Sequence, residues 1–174
     1  MRRGCGDVEL YDELEGAART IRERHADANE RLSPLCDLLW DALASRGLSW
    51  VGFYLASNED ALQLELAARR DKPACSPIGL HGVCGQAFQE EAIRLVEDTA
   101  LLGPSYIACD PRDRSEIVVP IYRKTNPSKP WGVLDLDSHA LACFSDADSS
   151  GLSAILSAAG LLDRRLPLRS DRLP

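Results

Sequence analysis

The sequence lacks two features that would point to a membrane or a nucleic acid. Its apolar runs all fall well short of the roughly 20 residues that a helix needs to cross a bilayer. It also has only 20 lysines and arginines against 27 aspartates and glutamates, a formal net charge of -7. Because neutralising phosphates requires a surplus of basic side chains, this balance argues against nucleic-acid binding. The basic N-terminus turns acidic where a signal peptide would be apolar, so we expect a cytoplasmic protein.

Internal repeats, low-complexity tracts and linker-like segments are also missing. The chain has 174 residues, 45% of them hydrophobic and 27% charged, which is enough for one domain with a full core. We therefore predict a single domain over residues 1–174, with its core at about 8–164. The polar segment at 165–174, which contains prolines, is expected to be a frayed tail.

The hydrophobic periodicity predicts both helices and strands. Helical spacing indicates a first helix from Val8 to about Ile21, a second that begins at Ser33-Pro34, and a last one after Ser145. Strand patterns are found at 48–55, 62–66, 93–96, 116–124 and 131–138. These elements predict an α+β fold with an antiparallel sheet that has helices on one face. Loops would cover the other face, where we expect a pocket.

Three of the six cysteines, Cys75, Cys84 and Cys109, fall in predicted loops around the short strand at 93–96. Cysteines in a reducing compartment are catalytic, redox-active, metal-binding or simply buried. Separations of nine and twenty-five residues match no zinc knuckle, so zinc is disfavoured. Burial as small apolar side chains is the simpler alternative, and it is the one we assign to the remaining cysteines, Cys5, Cys36 and Cys143.

Two of the loop cysteines have a physical reason to be acidic. Cys109 lies in a charge-rich stretch, SYIACDPRDRSEIVVP at 105–120, in which a neighbouring guanidinium would lower the pKa of the thiol. Cys84 lies at the start of a short helical run, where the helix dipole stabilises an anion. These placements favour cysteine chemistry.

Three carboxylates lie on strands that otherwise have the composition of a core. Glu116 opens one strand, and Asp135 and Asp137 alternate on one face of another. They could belong to a solvated sheet edge or pair with Arg123 and Lys124. Alternatively they surround a pocket, where two bind an ammonium group and the third, protonated through their mutual repulsion, donates a proton. We favour the pocket.

Six motifs together resemble the free methionine-(R)-sulfoxide reductases, which are GAF-domain enzymes. They are WVGFYL at 50–55, KPAC at 72–75, GVCG at 82–85, IACD at 107–110, RSEIVVPI at 114–121 and VLDLDS at 133–138. The resemblance implies a six-stranded antiparallel sheet with a closed small-ligand pocket, usually in a homodimer. It also implies reduction of free L-methionine-(R)-sulfoxide without a bound cofactor.

The same resemblance assigns roles to individual residues. Cys109 would be the nucleophile and become a sulfenic acid, and Cys75 and Cys84 would be resolving thiols that convert it to a disulfide. Thioredoxin, itself reduced by an NADPH-dependent reductase, would then reduce that disulfide. The carboxylates Glu116, Asp135 and Asp137 would hold the substrate's ammonium group and protonate its sulfoxide oxygen. The aromatic residues Trp50 and Tyr54 would enclose its methyl group.

The chain departs from the family pattern at two places. The loop between Cys75 and Cys84 is one residue shorter, and Tyr106 stands where the family commonly has histidine. These departures leave open which thiol resolves Cys109. A non-catalytic GAF module that senses a small ligand or redox state through the same pocket is the rival hypothesis.

Overall fold

The fold is described from a computed structural model, which covers residues 5–58, 61–103, 106 and 109–171. Parts of the predicted turn at 57–60 and of the IACD motif therefore lie outside the described residues. The helices are α1 (Val8–Arg24), α2 (Ala28–Leu43), α3 (Val83–Glu90) and α4 (Asp146–Ala158). The strands are β1 (Leu48–Ala56), β2 (Gln63–Arg70), β3 (Ile78–Gly79), β4 (Ile93–Val96), β5 (Ser115–Ile121), β6 (Gly132–Ser138) and β7 (Leu168–Asp171). Within these ranges, none of the helices is long and apolar enough to span a membrane.

One sheet contains all these strands, in the order β3-β2-β1-β6-β5-β4-β7. Neighbouring strands are antiparallel except β4 and β7, which are parallel. The predicted α+β fold is confirmed, but the predicted count of six strands is wrong, because the sheet has seven. It is also mixed rather than wholly antiparallel.

Two strands fall outside the five predicted ranges: the two-residue β3, and β7, which lies in the segment that was expected to be a frayed tail. Residues 168–171 pair with β4, which would otherwise be an edge strand with unpaired backbone groups. The guanidinium of Arg94 also binds the carboxylate of Asp171 at 2.7 Å. The last three residues, 172–174, lie outside the described part.

The helices differ from the prediction mainly at one boundary. The second helix begins at Ala28 rather than at Ser33, because the Asp27 carboxylate caps it by accepting a hydrogen bond from the Asn29 amide at 2.9 Å. Pro34 consequently lies inside the helix instead of in its first turn. The capping box of Ser145 and Asp148 at the start of α4 is confirmed.

The two faces of the sheet carry different clusters of buried side chains. The larger cluster packs against α1, α2 and α4 and takes alternate residues of the central strands, such as Phe53 and Leu134. The smaller cluster, on the opposite face, contains Trp50, Tyr54 and residues of α3. Because side chains alternate along a strand, Asp135 and Asp137 point to this second face. The sheet therefore places polar side chains under α3 and the long loops.

Candidate active site

The strand register brings the three predicted carboxylates together. Asp137 on β6 lies opposite Glu116 on β5 and opposite Trp50 on β1. Asp135, two residues back on the same face, lies opposite Val118 and Gly52. Neighbouring strands of a sheet are about 5 Å apart, so these acids share one small region.

Burial raises the pKa of all three acids and so favours their protonated forms. Glu116 is 4% exposed and Asp135 is 8% exposed. Desolvation and the nearby Asp135 raise the pKa of Glu116 to about 8, and desolvation raises the pKa of Asp135 to about 7. The pKa of Asp137 is also raised well above its ordinary value, by desolvation and by the other two carboxylates. This burial rules out the solvated sheet edge as an explanation.

One carboxylate oxygen of Asp135 is available to accept a hydrogen bond from a ligand. Its Oδ2 accepts a hydrogen bond from the Cys84 thiol at 3.2 Å. Its Oδ1 is buried and, among the described residues, has no hydrogen-bond partner. A buried acceptor without a partner is unfavourable, so a ligand that donates a hydrogen bond there would stabilise the site.

Cys84 is placed in the pocket, but its predicted acidity is wrong. It is the second residue of α3, and its thiol is 8% exposed. Burial and the negative charge of Asp135 raise its pKa well above the ordinary value. Desolvation and a like charge outweigh the helix dipole here. Cys84 is therefore a neutral thiol that donates to a carboxylate.

Cys75 and Cys109 lie side by side. Both are exposed residues, and their side chains are hydrogen-bonded to each other. Partial burial and this contact raise the pKa of Cys109 to about 12. The expectation that a guanidinium lowers this pKa is wrong, because Arg112 instead binds the Asp110 carboxylate at 2.8 and 3.0 Å.

An ion pair holds the two cysteine-bearing loops together. The Lys72 ammonium, three residues before Cys75, binds the Asp110 carboxylate, next to Cys109. Asp110, Asp113 and His139 also converge closely enough to hold a metal ion. Asp110, however, already binds Lys72 and Arg112, and Asp113 accepts a hydrogen bond from Ser49 at 2.9 Å. We interpret this cluster as an ion-pair network.

The two aromatic residues predicted for substrate binding donate hydrogen bonds to the loop that carries Cys75. The indole nitrogen of Trp50 donates to the Lys72 carbonyl at 2.9 Å, and the hydroxyl of Tyr54 donates to the Cys75 carbonyl at 2.9 Å. Their ring centroids are 5.9 Å apart, and the ring planes are inclined by 34°. The two rings thus form a continuous apolar wall beneath the cysteines.

Tyr106 makes a contact that the sequence did not predict. Its hydroxyl donates a hydrogen bond to Glu116 Oε2 at 2.5 Å. A bond to the carboxylate favours the charged form, so this contact opposes the burial that raises the pKa of Glu116. The only sequence signal was the unusual residue before the IACD motif.

The site surrounds a cavity of about 290 Å³. It lies between the sheet, α3 and the two cysteine loops, and its size suits a molecule of about amino-acid dimensions. Every residue predicted for the site lines it: Trp50, Tyr54, Cys75, Cys84, Cys109, Glu116, Asp135 and Asp137. The arrangement combines adjacent thiols, buried carboxyl groups with raised pKa values and an apolar wall.

The fold and the cavity define a class of protein, a GAF domain with thiols in its ligand pocket. A solved structure described as a GAF sensor protein from Burkholderia vietnamiensis is 35% identical with a TM-score of 0.77, over 88% of this chain and 92% of that one. No protein-family model matches the chain.

More specific relatives bear the name of an enzyme. The free methionine-R-sulfoxide reductase of Escherichia coli is 35% identical over 152 residues, 86% of each chain. The Neisseria meningitidis enzyme of the same name, solved with its substrate, is 29% identical with a TM-score of 0.76, over 92% of this chain and 93% of that one. The chain therefore belongs to the free methionine-R-sulfoxide reductase family, a family of oxidoreductases. The resemblance seen in the six motifs is confirmed.

Proposed function

We propose that this protein reduces free L-methionine-(R)-sulfoxide to L-methionine. The observation that carries the proposal is the single cavity, because it places the Cys75–Cys109 pair against Glu116, Asp135 and Asp137. A free amino acid brings an ammonium group as well as a sulfoxide. The unpartnered Oδ1 of Asp135 suits that ammonium group, which would also favour ionisation of the carboxylates that bind it.

Cys109 is proposed as the nucleophile and Glu116 as the acid. The Cys109 sulfur attacks the sulfoxide sulfur, while Glu116 protonates the sulfoxide oxygen. The proton of the thiol passes to a carboxylate, so the acid is restored. The oxygen then migrates to the Cys109 sulfur, and both its bond to the methionine sulfur and the newly formed S–S bond break. Cys109 is left as a sulfenic acid, and methionine leaves with its sulfur reduced by two electrons.

Cys75 is proposed as the thiol that resolves the sulfenic acid. It is in hydrogen-bond contact with Cys109, and both are accessible. Its sulfur attacks the Cys109 sulfur, a disulfide forms, and water leaves. Cys84, in contrast, is buried and donates a hydrogen bond to Asp135. Its proposed role is therefore to position that carboxylate and not to resolve Cys109. A dithiol such as thioredoxin would then reduce the disulfide by exchange.

The homodimer that the family resemblance implies is likewise a proposal.

Trp50 and Tyr54 are proposed to select the epimer. Their rings form the apolar wall beside the thiols, and their polar atoms are already bound to the Lys72 and Cys75 carbonyls. The wall can therefore offer only apolar contact, which suits the methyl group and not the sulfoxide oxygen. In the S epimer the oxygen would point to the wall and away from Glu116.

The proposal is tested by coupling the protein to thioredoxin, thioredoxin reductase and NADPH. The separated R and S epimers of free methionine sulfoxide are supplied to the wild type and to the variants Cys109→Ser and Cys143→Ser. Cys143→Ser is the matched control, because Cys143 does not line the cavity. We expect NADPH oxidation with the R epimer only, lost in Cys109→Ser and retained in Cys143→Ser. Ligand binding without turnover by the folded, reduced protein would favour the sensor hypothesis.

A further inference from the structure

Two other cysteines form a thiol pair outside the cavity. Cys5 precedes α1 and Cys143 precedes α4, and neither lines the cavity. Their side chains are hydrogen-bonded to each other. Both sulfurs also lie close to the carbonyl oxygen of Arg46, at 3.5 Å for Cys5 and 3.9 Å for Cys143. Their pairing was not predicted, since both were expected to be buried as small apolar side chains.

The backbone on both sides of the pair is held in place. The Gly6 amide donates to Asp148 Oδ1 at 2.7 Å, and the Cys143 amide donates to Ser115 Oγ at 3.2 Å. Asp148 also accepts a hydrogen bond from the Tyr11 hydroxyl at 2.8 Å. These hydrogen bonds fix the backbone positions from which the two thiols extend.

The two thiols differ in reactivity in a way that suits sequential oxidation. Cys143 is partly exposed, whereas Cys5 is 2% exposed. The hydrogen bond with Cys5 lowers the pKa of Cys143 to about 7, and the same contact, together with burial, raises the pKa of Cys5. Cys143 is thus the thiolate that an oxidant can reach, and Cys5 is the protected thiol beside it.

We propose that Cys5 and Cys143 form a second redox site that peroxides oxidise to a disulfide. The Cys143 thiolate attacks one oxygen of hydrogen peroxide, the O–O bond breaks, and hydroxide leaves and is protonated to water. Cys143 is then a sulfenic acid. The Cys5 sulfur attacks the Cys143 sulfur, the S–O bond breaks, and a second water leaves. Two thiols have lost two electrons to one peroxide.

The resulting disulfide would join the start of α1 to the segment before α4. These helices pack against each other on the face opposite the cavity. A bond between residues so distant in sequence restricts the unfolded chain strongly. We therefore expect the oxidised protein to melt about 5–15 °C higher than the reduced protein. This site goes beyond the proposed function and does not depend on it, since it uses a different oxidant and different thiols.

Peptide mapping of the folded, reduced wild type after hydrogen peroxide treatment tests the proposal. Free thiols are alkylated, the protein is digested without reduction, and disulfide-linked peptides are identified by mass spectrometry. We expect a peptide containing Cys5 linked to one containing Cys143, removed by thioredoxin or dithiothreitol. Cys36→Ala is the matched control, because Cys36 is a buried cysteine that takes no part in this pair, and it should retain the link.

Two variants separate the roles of the thiols. Cys5→Ser should lose the link and leave Cys143 as a sulfenic acid that dimedone traps, or as more highly oxidised acids. Cys143→Ser should lose the link and leave Cys5 as a thiol. The proposal is overturned if wild-type Cys143 stays a thiol, or reaches sulfinic acid without linking to Cys5, at peroxide levels that oxidise Cys109.

Discussion

At the scale of single residues, Glu116 has the clearest chemical role to test. It is buried, its pKa is raised to about 8, and the Tyr106 hydroxyl holds one of its oxygens. A carboxylic acid that keeps its proton at neutral pH can donate it to the sulfoxide oxygen. Activity should therefore fall as the pH rises through about 8, where Glu116 ionises.

Glu116→Gln should lower kcat by roughly 10²–10⁴-fold, the usual contribution of a general acid. It should also abolish the decrease in activity near pH 8, because glutamine does not titrate. Steady-state rates with the R epimer between pH 5.5 and 9 check both points. Glu65→Gln, at an exposed position of β2 outside the cavity, is the control and should keep wild-type rates. Equal rates for Glu116→Gln and the wild type would exclude Glu116 as the acid.

The residues of the site could be predicted from the sequence, but their protonation states could not. Period-two alternation placed Asp135 and Asp137 on one face, and the motifs identified Cys109. The predicted low pKa values of Cys84 and Cys109 were wrong, because desolvation and neighbouring carboxylates depend on tertiary packing. The contact between Tyr106 and Glu116 also joins a loop to a strand, which periodicity cannot predict.

At the scale of secondary-structure elements, the position of α3 depends on Gly85, the residue after Cys84, and not on Gly82, the residue that caps the helix. A methyl group on Gly85 would lie 2.2 Å from the Cα of Leu80, so the helix can approach this loop only with glycine there. A methyl group on Gly82 would meet nothing within 4 Å. The two positions therefore form a matched pair on either side of one thiol.

We predict that Gly85→Ala destabilises the protein by about 1–3 kcal/mol and lowers activity, because it pushes α3 away from the loop that borders the cavity. Gly82→Ala should cost at most about 1 kcal/mol, for the poorer helix cap, and keep activity. Urea unfolding and the coupled assay measure the two effects. Equal losses in both variants would show that the close packing of α3 is unimportant.

The strands and helices with strong periodicity were predictable, whereas strand β7 and the start of α2 were not. Strand β7 is only four residues long and forms because the edge of β4 is available. The start of α2 depends on the Asp27 cap rather than on Pro34, which was the more conspicuous sequence signal. The adjacency of Cys75 and Cys109 likewise depends on the ion pair between Lys72 and Asp110.

At the scale of the whole molecule, the buried acids should make stability depend on pH. The pKa of Glu116 rises from an ordinary value of 4.5 to about 8 in the folded protein, and that of Asp135 rises from 3.8 to about 7. Between these values the folded protein binds more protons than the unfolded chain. The contribution of these two groups to the free energy of unfolding therefore falls as the pH rises through this window.

We expect the wild type to lose stability from about pH 4.5 to pH 8, with a slope of at most about 1.4 kcal/mol per pH unit for each group. Glu116→Gln should have a shallower slope because it removes one of these groups. Urea denaturation at several pH values gives the comparison. Parallel curves for the two proteins would contradict the raised pKa of Glu116.

The most direct test of the central claim is a single turnover without any external reductant. Fully reduced protein is mixed with an excess of the R epimer, and free methionine and remaining thiols are counted after quenching. We predict about one methionine released and two thiols lost per chain, with Cys75 linked to Cys109, and no methionine from Cys109→Ser. Methionine formation that survives in Cys109→Ser, or none from the folded wild type, would contradict the claim.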